Sequence, residues 1–118
     1  MIGAVPSGES KMLFLIYWEL NEEIDAISRL QAAEKLAAAE LFPPKNVDVI
    51  RFDSTPDLWG MTLVEASNVE DVSNVVNMWR IACPGIFKKT KISPARPVQE
   101  SMASIAELIK KLAADTHT

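Results

Sequence analysis

Met12–Trp18 reads MLFLIYW, an unbroken apolar and aromatic run with Lys11 before it and Glu19 after it. Its length suits a strand, and the lack of polar alternation suits an interior strand covered on both sides. Successive side chains of a strand point to opposite faces. Met12, Phe14, Ile16 and Trp18 therefore share one face, and Leu13, Leu15 and Tyr17 the other. Both faces are greasy, so the fold has to find cover for each.

The elements on the C-terminal side of this run follow from caps, breakers and periodicity. Asn21 offers a cap for a helix beginning at Glu22–Glu23 and running to about Glu40, where Pro43-Pro44 stops it. Its expected buried stripe is Ile24, Ile27, Leu30, Ala33, Ala37 and Leu41, with Arg29, Glu34 and Lys35 wet. Val47–Asp53 (VDVIRFD) reads as a second strand, with Ile50 and Phe52 on one side and Val47 and Val49 on the other. Ser54-Thr55-Pro56-Asp57 is a turn, and Leu58–Ala66 a third strand. Ser67 or Asn68 caps a helix over Val69–Ala82, whose apolar face is Val69, Val72, Val75, Val76, Trp79 and Ala82. Ile86–Ile92 (IFKKTKI) is a fourth strand and Ser93-Pro94-Ala95-Arg96-Pro97 a linker. Pro97 suits the start of a last helix carrying the narrow stripe Val98, Met102, Ile105, Ile109 and Leu112.

The order β-α-β-β-α-β with an extra C-terminal helix is the α+β, ferredoxin-like split β-α-β, whose sheet order is 4-1-3-2. Lys88, Lys89 and Lys91 mark the fourth strand as an edge, where lysines discourage stray pairing. The first two helices can cover only one side of such a sheet. The other side would expose roughly several hundred Å² of apolar surface, more than most monomers carry. The last helix folded back could roof it. A second subunit's sheet is the favoured cover, giving a dimeric α/β barrel with the last helix reaching the partner. The expected layout is a flexible leader at 1–11, the domain at 12–96, the C-terminal helix at 97–113 on the domain or the partner subunit, and a polar tail at 114–118.

Composition narrows the function classes. In 118 residues, 12 Lys and Arg stand against 16 Asp and Glu, a net charge of −4, which disfavours nucleic-acid binding through a general basic surface. The third strand, Trp59-Gly60-Met61-Thr62-Leu63-Val64, also lacks the stacking aromatics of an RNA-binding module with this topology. No apolar run approaches the ~20 residues of a membrane span. The N-terminal residues MIGAVPSGESK have neither a basic region nor a long apolar region, so no signal peptide is expected. A single Cys and a single His leave little for metal or nucleophile chemistry. Cys83, at a helix C-terminus and without a His partner, reads as a packed thiol, and the compartment as cytoplasmic. His117, next to the last residue, is poorly placed as a haem ligand. No cofactor, no metal, no nucleic acid and no membrane are expected.

The segments MLFLIYWEL, PPKNVDVIRF, WGMTLVEASNVEDVSNVVNMW and KISPARPV together resemble a family of short uncharacterised proteins. That family is a domain of unknown function of the ferredoxin-like, dimeric α/β-barrel kind. The resemblance spans about Met12 to Val98 and rests on Tyr17-Trp18-Glu19, Val64-Glu65-Ala66 and Trp79. Family members often carry a Gly-Arg-Tyr-like segment after strand two, where this chain has Ile50-Arg51-Phe52-Asp53. The resemblance implies the fold, the pairing of subunits and a pocket between sheet and helices; it brings no activity.

Tyr17, Glu19, Arg51, Asp53 and Glu65 are polar residues near strand ends, and Trp59 follows the turn as a rim residue. These are the candidate ligand-binding residues. Arg51 would hold an anionic or carbonyl group, with Glu19 or Asp53 as proton acceptor. The plainer reading is a set of cross-strand ion pairs on a half-open face. Trp59, Met61, Met78, Trp79 and Phe87 are candidates for an apolar cavity, although Trp79 reads first as simple core. Lys88, Lys89, Lys91 and Arg96 read as a solvated edge before an anion site. The functional expectation is a homodimer that binds a small, partly apolar molecule between sheet and helices. The alternatives are a cofactor-independent monooxygenase or isomerase-like enzyme, and an assembly module with no ligand.

Overall fold

The computed structural model describes residues 10–116. The elements are β1 (Met12–Leu20), α1 (Ala26–Ala38), β2 (Val47–Ser54), β3 (Trp59–Ala66), α2 (Val69–Ala82), β4 (Phe87–Ala95) and α3 (Val98–Thr116). The strands form one sheet in the order β2-β3-β1-β4, with every neighbouring pair antiparallel. This is the ferredoxin-like α+β arrangement, with the greasy first strand in the interior as its sequence requires. Most of the expected leader, residues 1–9, and the last two residues of the polar tail lie outside the described residues.

The core lies between the sheet and the first two helices. Phe14, Ile16 and Trp18 of β1 pack with Val47 of β2, Val64 and Ala66 of β3, and Val72, Val75 and Val76 of α2. Asn68 caps α2 by accepting a hydrogen bond from the Asp71 amide at 2.9 Å, and Glu70 and Asp71 in the first turn complement its dipole. A smaller cluster of Ala32, Cys83 and Ile86 seats α1, and the Cys83 thiol is buried there.

Four expectations need correcting. Helix α1 starts at Ala26, because the Asn21 side chain closes a local turn by accepting from the Glu23 amide, while Asp25 takes the cap position and accepts from the Ser28 amide at 2.7 Å. Its buried side is Ala32 and Leu36, leaving Ile27 and Leu30 at 68% and 60% exposure, while Arg29 is half-buried rather than wet. β2 changes register between Val49 and Arg51. The bulge places Phe52 opposite Thr62, on the same side as Val47 and Val49, which lie opposite Ala66 and Val64. Finally, β4 continues to Ala95 through the expected linker, with Pro94 opposite Phe14; an edge strand tolerates a proline, which has no N–H to offer a further neighbour.

The last helix does not fold back. α3 runs to Thr116, beyond the expected Ala113, and its apolar stripe faces solvent: Val98, Met102, Ile105, Leu108, Ile109 and Leu112 are all more than half exposed. Its start is tied to the end of β4 by Arg96, which donates to Ser101 Oγ at 3.0 Å and to Ser104 Oγ at 3.3 Å. The molecule is correspondingly long and thin, 65 × 43 × 18 Å.

Gly60 is the position where the sheet has no room for a side chain. A Cβ there would collide with the Asp53 carbonyl and with the Trp18 ring. Gly60→Ala must therefore displace either backbone or indole, and overpacking of this kind costs about 1–3 kcal/mol. The urea midpoint should fall accordingly, with the tryptophan emission of the native state shifted as Trp18 moves.

Candidate functional site

The strand registers decide where each candidate residue sits. Glu19 lies opposite Trp59, Tyr17 opposite Met61, and Leu13 opposite Glu65 across β1 and β3. Arg51 lies opposite Leu63, and Asp53 opposite Met61, across β2 and β3. Tyr17, Glu19, Arg51, Asp53, Trp59 and Glu65 thus share the face turned away from the first two helices. On β4, Lys89 and Lys91 lie opposite Glu19 and Tyr17 on this same face.

Within that face the candidates form small local pairs around an apolar centre of Leu13, Leu15, Met61 and Leu63. Tyr17 donates its hydroxyl proton to Glu19 at 2.6 Å, and its ring lies 5.9 Å from that of Trp59. Arg51 pairs with Asp53 at 3.0 Å on the exposed edge of β2, and Lys11 pairs with Asp48 farther along that strand. Arg51 and the Tyr17–Glu19 pair stand on different strands with β3 between them. Among the described residues no group of three or more His, Cys, Asp or Glu side chains is placed to hold a metal ion. The β4 lysines are exposed, and Arg96 turns to α3 instead of joining them.

A cavity of about 290 Å³ opens on the other side of the sheet, between α1, α2 and the strands. Trp18, Phe42, Phe52, Val75, Val76, Trp79 and Phe87 are among its walls, and Arg29 and Thr62 are the only described residues there with polar side chains besides the indoles. Phe87 and Trp79 both line it, Trp79 against its first reading as core. Met78 packs against the core without lining this cavity, and Trp59 and Met61 belong to the opposite face. Phe52 was beyond reach of strict alternation because of the β2 bulge. Phe42 lies outside the helical and strand periodicities, and its one sequence signal is its place as an aromatic directly before the helix-stopping Pro43-Pro44.

Two of the cavity's polar residues are engaged within the chain. Trp18 Nε1 donates to Thr62 Oγ1 at 3.0 Å, and Arg29 donates to the Ile24 carbonyl at 2.6 Å.

Tyr17 offers a direct check on the open face. Its hydrogen bond to Glu19, then burial, then the carboxylate charge, raise its pKa above the ordinary 10.0. Any stability that this contact contributes is present below the ordinary phenol value and is lost as pH rises through the raised folded value. Tyr17 is the only tyrosine of the chain, so the ultraviolet phenolate absorbance reads it alone. The titration midpoint of the native protein should lie above 10.0, and Glu19→Ala should bring it back down towards that value.

No family model and no curated protein matches this chain. Among solved structures it is similar to a dimeric protein of unknown function and ferredoxin-like fold from Bacteroides fragilis, at 13% identity and a TM-score of 0.46, over 74% of this chain and 96% of that one.

Proposed function

We propose that the chain works as a homodimer, paired through the open sheet face with α3 laid against the partner, and that each copy binds a small, partly apolar molecule in its sheet–helix cavity. The observation that carries the pairing is the uncovered face itself. Leu15, Trp59 and Met61 are more than a third exposed on an interior part of the sheet, while α3 leads its own apolar stripe away from the domain. α3 runs for 19 residues with its apolar stripe in solvent, and since helices in proteins draw most of their stability from packing such a face, the stripe needs cover.

Area and charge both favour a second copy. Four strands about 4.8 Å apart and about 25 Å long present roughly 500 Å² of projected face. A standard interface buries about 800 Å² per partner, and α3 supplies the difference. The β2 edge of the face carries Asp48 and Asp53 against Arg51, and the β4 edge carries Lys89 and Lys91. A two-fold axis parallel to the strands sets each β2 edge, where Asp48 pairs with Lys11 and Asp53 with Arg51, over the partner's β4 lysines. In this reading Tyr17, Glu19, Arg51, Asp53, Trp59 and Glu65 form the margin of the pairing surface. A monooxygenase or isomerase would need a proton acceptor at the cavity, and among the described residues its walls carry no carboxylate or imidazole. Binding is therefore the reading the geometry supports. The reducing cytoplasm suits a chain whose single thiol is buried.

Light scattering should give twice the mass of one chain, and Leu15→Lys at the centre of the face should halve it with the far-ultraviolet dichroism unchanged. Asp53→Lys should weaken the dimer and Lys91→Asp, added to it, should restore it. A wild-type chain that stays at single mass at high concentration would overturn the pairing. Because Arg51 stands on the face away from the cavity, Arg51→Ala should leave ligand-induced melting shifts as they are in the wild type.

A further inference from the structure

We infer that the cavity is built for a neutral aromatic or hydrocarbon-like molecule of about two or three fused rings, and not for an anion or a polar metabolite. This rests on the binding reading above and names the chemistry of that site. Its volume, about 290 Å³, is about ten times the ~30 Å³ share of one liquid water. The wall is almost entirely carbon. A run of aromatic rings forms it: Trp18 meets Phe52 at 5.9 Å and 84°, Phe52 meets Phe42 at 5.9 Å, and Phe42 meets Trp79 at 5.6 Å and 69°. Tilted and edge-on contacts of this kind leave ring faces open to a flat guest.

The polar inventory argues against any charged or hydrogen-bonding ligand. The Trp18 indole N–H is spent on Thr62, and Arg29 is drawn to the Ile24 carbonyl, so that it contributes its hydrocarbon stem to the wall. No buried side-chain nitrogen or oxygen among the described residues lacks a partner. A ligand carboxylate would give up its hydration to face a wall that is almost entirely carbon. An apolar guest loses nothing of the kind and gains its burial. Entry is open, since Phe52 at 49% and Leu30 at 60% exposure stand at the cavity as solvent-accessible apolar residues.

The test uses the full chain with naphthalene and 2-naphthoate, two probes of nearly the same shape that differ in charge. Naphthalene should raise the melting temperature and quench tryptophan emission, with 2-naphthoate weaker by about tenfold or more. Val76→Met and Val49→Leu, each adding carbon to the wall, should abolish the naphthalene response while keeping a cooperative melt. Either filled variant that folds suffices. Equal or tighter binding of 2-naphthoate would overturn the ligand class and leave the binding reading standing. No response to either probe would overturn both. A naphthalene response that survives in the filled variants places the guest elsewhere and overturns the assignment of this cavity.

Discussion

β1 is apolar on both faces and sits in the interior of the sheet, and that single strand imposes two separate demands for cover. On one side Phe14, Ile16 and Trp18 are buried against α2 and the neighbouring strands. On the other, Leu13, Leu15 and Tyr17 look out with their partners from β3. A split β-α-β topology brings its first two helices to the same side, so it can answer only the first demand. The third helix, which could have answered the second, leaves the domain with its own stripe bare. The molecule therefore carries two unfinished apolar surfaces of its own making.

The fold was legible because its signals are local and redundant. Lysines at an edge, a proline-glycine stop after α2, a capping Asn68 and a double proline after α1 each pointed the same way, and agreement across levels of this kind is what specifies a fold. What failed to show depended on tertiary detail. The α1 stripe is broader than the surface it meets, and the helix settles on Ala32, the residue that allows close approach to Cys83 and Ile86, and not on the larger Ile27 and Leu30. Two side chains competed to cap that helix, and Asn21 is occupied with a turn of its own. No periodicity argument separates those outcomes.

The candidate site divides along the same line. Polar residues near strand ends were easy to find, and the alternation rule correctly puts Tyr17 with Glu19 and Arg51 with Asp53. Which face they share with one another, and which face holds the cavity, depends on register across strands. The bulge after Val49 moves Phe52 to the helix side, where it meets Trp18 and Phe42 and completes the aromatic wall. Strict alternation hides this, because one inserted residue inverts every side chain after it. Trp18 is core and also a cavity wall, its indole bonded to Thr62 and lying over Gly60, where there is no side chain.

That division has an energetic consequence. The open face and the cavity are built from alternate residues of the same strands: Leu15 and Tyr17 belong to one, Ile16 and Trp18 to the other. Side chains on opposite faces of a sheet share a backbone but no contact, and substitutions without shared partners add nearly independently. A change confined to Leu15, Arg51 or Asp53 alters the open face without touching the aromatic wall, and a change at Val76 or Phe42 does the reverse. Trp18 and Gly60 are the exception. The indole reaches across the strand to lie on the glycine, and the glycine adjoins the Asp53 carbonyl at the foot of the Arg51–Asp53 pair. Through that contact the backbone of the β2 edge, and with it the acidic margin of the open face, is held in register with the cavity wall.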